Sequence, residues 1–465
     1  MRSLSAEIGS FVAGLKRDTL PATVVEKARL CLLNAYGMAL NGYNTPYAPV
    51  ARQAVLAIDG ENPKGATLLG DGRRTTISGC CLANSALFHG RAQEDTCGAA
   101  HFGTILIPML TALIEARRFP LDRLIPALVA GYEAGGLLEA ALAAKTTPNG
   151  FRSTTTYGVI AAAAAASRLM GLDASRTAAA VAMAASFTGG VLQSFVDGSD
   201  EWRYQPGIAA ANGLAAAELA RAGAVSAPFA LEGKAGLALS FAGMALPEGL
   251  AGKLGREWAT LKVTFKPYPV CAFNQTPVTC ALALREKLNG ETPRAVRVRM
   301  NPYETGYAGM DATGPFHSIS GTLMSIPFCV ATTLLYGAPS MRHMTNYDDP
   351  SVAALIKRTT LVTDPSVPVL SAIIEADTAQ GTLIQEQRMT PADYAYDRAT
   401  LSAMLRRIGA QEGVPMAAFD RLEAFVDRLP AGDISEILAA FALLPQPNAE
   451  DAKHAEPAKE AVRVS

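Results

Sequence analysis

Three polar clusters interrupt an otherwise apolar chain of 465 residues, and each holds side chains suited to acid–base or anion chemistry. The first runs Gln93-Glu94-Asp95-Thr96-Cys97-Gly98-Ala99-Ala100-His101. It gathers carboxylate, hydroxyl and imidazole, and His101 is the group best matched to proton transfer near neutral pH. The small residues between them suit a tight loop that lets a ligand approach the backbone. The plainer alternative makes Asp95 a helix cap and His101 a surface residue. The second cluster is Lys266-Pro267-Tyr268-Pro269-Val270-Cys271, continuing to Gln275. Its prolines fix the backbone around an ammonium, a phenol and a thiol, with a structural linker as the alternative. The third is Glu201-Trp202-Arg203-Tyr204-Gln205-Pro206-Gly207. There the Arg203 guanidinium and the N–H groups of a following helix would suit a carboxylate; otherwise Trp202 and Tyr204 are core anchors.

Other chemistries find little support. The five histidines and seven cysteines are scattered, with no CxxC pair and no HExxH or His-x-Glu zinc pattern. Reduced core thiols are therefore expected, with no metal. Glycine-rich phosphate loops and the GxSxG elbow are absent too. Lys plus Arg is 41 and Asp plus Glu 42, a balance that gives no general field for nucleic acid or an anionic membrane. The most apolar stretch, Val159 to Ala166, is too short to span a bilayer, and the first residues lack a signal-peptide core. A cytoplasmic protein with a small-molecule substrate is the expectation.

The elements that must position these clusters fall into two kinds. Helical spacing dominates up to about residue 250, with helices predicted over 24–41, 77–90, 106–118, 158–172, 174–187 and 206–222. Alanine and glycine are so frequent in the later ones that close helix packing is expected, with Gly207 and Gly213 as contact points. From about 262 the pattern alternates: 262–266, 293–301, 360–363, 372–376 and 381–387 read as strands. Helices are expected at 322–336 and 352–358, and again at 399–408 and 433–443. The predicted fold is mainly α with α+β. A large all-helical domain (1–265) is followed by a smaller inserted α+β lid domain (266–390) and a helical return (391–445). The Ala-, Glu- and Pro-rich tail 446–465 is expected to be disordered.

This order of helical body, Lys-Pro-Tyr-Pro element, α+β insertion and helical return resembles the MmgE/PrpD family of dehydratases, decarboxylases and epimerases, over roughly residues 5–445. Pro206-Gly207-Ile208-Ala209-Ala210 and Ser325-Ile326-Pro327-Phe328-Cys329 add to the likeness. The resemblance implies a homodimer acting without metal or organic cofactor on small di- or tricarboxylic acids, in the cleft between helical domain and lid. It places Asp95, Thr96, His101 and Lys266 there. Several positions depart from the family pattern. Trp202 replaces a Lys; Gln205, Arg152 and Gln275 each replace a His; Ala92 or Gln93 stands where a further acid is usual. Gln and Trp transfer no protons, and Arg152 is better suited to binding a carboxylate than to acting as a base. The roles that follow are His101, Asp95 and Lys266 in catalysis. Thr96, Arg152, Trp202, Arg203, Gln205, Tyr268, Cys271 and Gln275 are assigned to substrate binding. The expected activity is that of a lyase transferring a proton beside a carboxylate. An isomerase or a silent carboxylate-binding protein on the same scaffold are the alternatives.

Overall fold

Small residues decide how the helical body closes. In the computed structural model, which describes residues 2–445, helix Gln205–Arg221 crosses two neighbours at the two glycines singled out above. A Cβ on Gly207 would sit 2.5 Å from the Leu82 Cα, and one on Gly213 would sit 2.6 Å from the Val159 carbonyl. Backbone contact of this kind admits no side chain, so the glycines fix where Ile77–Phe88 and Ser153–Met170 are gripped. Helices Ala22–Asn41, Gly103–Arg117 and Leu124–Thr146 complete the centre, and Arg398–Glu412 and Met416–Arg428 return to the same core. The tail expected to be disordered lies outside the described residues.

The sequence misjudges the most apolar element. Leu121–Thr146, not Val159–Ala166, is long and apolar enough by composition to cross a membrane, and 83% of its most apolar window is buried inside the protein. It is apolar all round because other helices surround it.

The smaller region is built on a four-stranded sheet, ordered Thr359–Thr363, Ala295–Met300, Ser371–Thr378, Gly381–Arg388. The first pair is parallel and the other two are antiparallel. A parallel pair needs a long crossover, and helices Ile319–Met324 and Ile326–Tyr336 lie on it. They form two helices where 322–336 predicted one. Pro327 lacks an N–H, and the Ser325 side chain accepts from Phe328 N to start the second. One sheet face buries Val296, Val298, Ala372 and Ile374 with helix Gln275–Leu288. The other carries Arg297 and Arg299 paired with Glu375, Asp377 and Asp364. That is the wet face which strict alternation at 293–301 implied.

Two features join the regions. The strand expected over 262–266 shrinks to Thr264–Phe265, and it pairs antiparallel with Asp95–Thr96 in the register Asp95↔Phe265, Thr96↔Thr264. In addition, Ala92, Phe195 and Trp202 of the helical body pack into the same hydrophobic cluster as the sheet.

Candidate active site

The short ladder sets the central ion pair. Extended by one residue, its register puts Glu94 opposite Lys266, and Lys266 Nζ donates to Glu94 Oε1 at 2.6 Å. Two imidazoles flank the same carboxylate. His89, at the end of Ile77–Phe88, has Nδ1 3.1 Å from Glu94 Oε2, close but off the hydrogen-bond line. His101 has Nδ1 3.5 Å from Oε1. Arg152 enters from the start of Ser153–Met170, its Nη2 2.8 Å from His89 Nε2. Since guanidinium only donates, His89 accepts there and carries its own proton on Nδ1, facing Glu94.

The same logic fixes His101. Its Nδ1 lies 2.8 Å from the Asp95 carbonyl oxygen, an acceptor, so the proton sits on Nδ1 and Nε2 keeps its lone pair. Among the described residues Nε2 has no hydrogen-bond partner. Burial pushes His101 well below the usual imidazole value, assisted by the Lys266 charge, and pushes His89 down to about 4. Both are therefore neutral at pH 7. Burial works the other way on Glu94, yet Lys266 foremost among its neighbours holds it well below the ordinary carboxyl range. Arg152, lowered to about 10 mainly by burial, keeps its charge.

Not every predicted residue faces this cluster. Lys266, His101, Arg152, Trp202 and Cys271 line one cleft of about 50 Å³ with Glu94. Cys271 stays a thiol, raised to about 11 by burial. The Asp95 carboxylate points the other way. It accepts from Tyr132 Oη and, at 3.2 Å, from the N–H of Gly103, where helix Gly103–Arg117 begins. So Asp95 caps the helix, and it is the Asp95 carbonyl that orients His101. Thr96 is spent on Thr264, 2.6 Å between hydroxyls. Arg203 is buried behind the cleft, donating to the His89 and Gly90 carbonyls at 2.8 and 2.7 Å. Those carbonyls end a helix, where a cation is favoured, so Arg203 holds His89 in place and leaves no carboxylate site at the next helix. Gln205 accepts from Arg152 at 3.2 Å. Gln275 ties the Lys-Pro-Tyr-Pro turn, accepting from Tyr268 N at 3.1 Å and donating to the Tyr268 and Val270 carbonyls. Neither Gln275 nor Tyr268 lines the cleft.

Two cluster members were missed from sequence. Glu94 sat inside a quoted motif without a role, because its partner is 172 positions away. His89 carries no local signal beyond ending an apolar helix. Ala92, one of the two positions at which the family resemblance lacks an acid, lines the cleft in a left-handed conformation (φ 54°).

A larger cavity, about 770 Å³, lies beyond Gly98 and is walled in part by Glu133 and Glu139. Both carboxylates already accept backbone N–H groups, Glu133 from Ala259 and Thr260 at 2.9 Å and Glu139 from Ala99 at 2.7 Å. No imidazole or guanidinium lines it, so it lacks the acid–base set of the smaller cleft. Among the described residues, no three His, Cys, Asp or Glu side chains are grouped to hold a metal ion.

A helical body, an α+β region and a polar cleft at their seam define the architecture in which the candidate site sits. The chain belongs to the MmgE/PrpD family: the family's N-terminal domain matches residues 6–248 and its C-terminal domain residues 268–391. It is 31% identical over 283 residues to the cis-aconitate decarboxylase-like protein oryM of Aspergillus oryzae, covering 57% of this chain and 58% of that protein. It is 25% identical over 374 residues to the cis-aconitate decarboxylase of Aspergillus terreus, covering 74% of each. To the cis-aconitate decarboxylase of Homo sapiens it is 26% identical over 299 residues, 63% of this chain and 61% of that one. The match thus spans little more than half the length of the first of these relatives.

Proposed function

We propose that this chain is a cofactor-independent lyase, of dehydratase or decarboxylase type, that moves a proton at a carbon beside a carboxylate. One observation carries the reading. A neutral imidazole, His101, its ring Nε2 without a hydrogen-bond partner among the described residues, lines the same small cleft as Arg152 and the Lys266–Glu94 pair. The substrate carboxylate docks on Arg152, with Lys266 alongside. His101 Nε2 removes the α proton, and the C–H electron pair moves into the carboxylate to give an enediolate, whose charge Lys266 and Arg152 stabilise. In a dehydration that pair then forms the Cα=Cβ bond, and the β oxygen leaves as water with the proton from His101. In a decarboxylation no α proton is removed: the C–C bond to the carboxylate breaks to release carbon dioxide, its electron pair stays on carbon, and that carbanion takes a proton that His101 Nε2 has first accepted from solvent. The relatives named as cis-aconitate decarboxylases support a lyase of this kind.

A second reading, an isomerase or epimerase, is favoured by the cleft walls. Ala92 and Trp202 transfer no protons, so one imidazole does the work, which suffices if the enediolate is simply reprotonated. Incubation with small carboxylic acids in deuterated water separates the cases. Exchange with elimination or decarboxylation products supports the lyase, and exchange alone supports the isomerase. Saturable binding with neither leaves a silent binding protein. For a responsive acid, His101→Ala is expected to lower the rate by roughly 10²–10⁴-fold; undiminished turnover removes His101 from this role. The homodimer implied by the family resemblance belongs to the same proposal, with light scattering in solution as its check.

A further inference from the structure

We infer that the cleft selects a monocarboxylate with an apolar remainder over a di- or tricarboxylate; the inference rests on the carboxylic-acid reading above and deepens it. The charges facing the cleft are few. Glu94 is the anion and Lys266 and Arg152 are the cations, while His89 and His101 are neutral. Two positive charges less one negative leave a single positive charge. The Lys266–Glu94 pair, 2.6 Å apart, is already matched within itself. One layer out, two opposite charges remain: Arg203, whose positive charge reaches His89 and Arg152, and Asp95, raised to about 6 by burial and negative at neutral pH.

Charged hydrogen-bond capacity is concentrated at Arg152, with the Lys266 N–H groups not spent on Glu94 alongside. Arg152 Nη1 donates to the Trp202 carbonyl at 2.5 Å and to Gln205 Oε1 at 3.2 Å, and Nη2 donates to His89. Of its five N–H groups, the Nε–H and one Nη2–H remain without a protein acceptor, a pair that one carboxylate can fill. The rest of the wall carries no charge: Phe195, Trp202, Phe273 and Met324 are apolar or aromatic, and Thr154 and Tyr307 add neutral hydroxyls. Trp202 is held in that wall by its Nε1 donating to Ser320 at 2.8 Å and by Phe195, 5.0 Å between ring centres. A second or third carboxylate would lie against these rings with no cation to receive it, and an unpaired buried charge is strongly disfavoured.

The test titrates the full-length chain with crotonate, fumarate and cis-aconitate, carrying one, two and three carboxylates, by calorimetry and thermal shift. Crotonate is expected to bind at least tenfold more tightly than either of the others. Equal or tighter binding of fumarate or cis-aconitate, or saturation by none of the three, overturns the inference. A paired comparison isolates the charge count. Trp202→Leu opens the wall without a cation, and Trp202→Lys opens it with one. The fumarate-to-crotonate affinity ratio should rise at least tenfold in the Lys variant over the Leu variant, and equal ratios count against the proposal. If neither variant folds, the wild-type ranking alone decides. Because binding is read here, the absence of deuterium exchange with every acid sinks the lyase reading without touching this one.

Discussion

Two buried carboxylates stand on opposite sides of the Gly98 loop, and their surroundings treat them in opposite ways. Glu94 is flanked by an ammonium and two imidazoles, and is held well below the ordinary carboxyl range despite its burial. Glu139 accepts one backbone N–H, from Ala99, and burial raises it to about 7. Depth is nearly the same at both sites. The difference is a full countercharge against a peptide dipole, and only the countercharge outweighs desolvation. The charged cluster faces the small cleft, while the near-neutral acid braces the loop from behind.

The sharpest way to break this contrast is to remove the anion. Glu94→Gln leaves Lys266 buried without a partner, and chemical denaturation should show a loss of about 3–5 kcal/mol. Adding Lys266→Met should recover much of it; a loss that persists in the double variant would mean the ion pair is not what Glu94 supplies. Glu139→Gln should act in the opposite sense and only at higher pH. A carboxyl raised in the folded state contributes its full stability below its ordinary value of 4.5 and loses it as pH rises through about 7. The variant should therefore be the more stable protein at pH 8, by up to roughly 3 kcal/mol, and show no gain at pH 4. Glu94, lowered in the folded state, loses its contribution as pH falls, so its variant should lack that acid-side dependence.

Gly98 separates the two acids at φ 61°, with space for a Cβ blocked by the Glu139 carboxylate. Gly98→Ala should cost about 1–3 kcal/mol, and part should return in a Glu139→Ala background. An unchanged melting temperature in Gly98→Ala would show the loop to be looser than this packing requires. The smallest effect concerns the pH profile. With His101 held low by burial and then by Lys266, the acid limb of kcat/KM should lie below 6.5. Lys266→Met should move that limb upward, and a shift in the other direction would separate the two residues electrostatically.

Much of this was legible early, and the gaps have physical causes. Gly207 and Gly213 were readable as helix contacts because a missing side chain at helical spacing has one common use. The wet face of 293–301 was readable because strand alternation is local. Lys266 and His101 stood out by residue type within unusual loops. Glu94 and Asp95, neighbours in sequence, were harder to tell apart. Successive residues of an extended segment point to opposite sides, so one carboxylate enters the cleft and the other caps a helix. Nothing in residue type says which. Arg203 and Gln275 misled for a related reason: polar side chains near a site can serve as its scaffold, bonding backbone carbonyls out of reach of a ligand.

By itself, the sequence determined the division into a helical body and an α+β region, the close-packed alanine helices, and the stock of groups able to bind an acid or move a proton. Those follow from periodicity, propensity and side-chain chemistry, which act over a few residues. The tertiary structure alone decided that Glu94 meets Lys266, that His89 joins them, and that Asp95, Thr96 and Arg203 turn elsewhere. The first of these follows from the two-residue ladder between Asp95–Thr96 and Thr264–Phe265. A pairing between segments so far apart is set by how the two cores pack, and no local pattern encodes it.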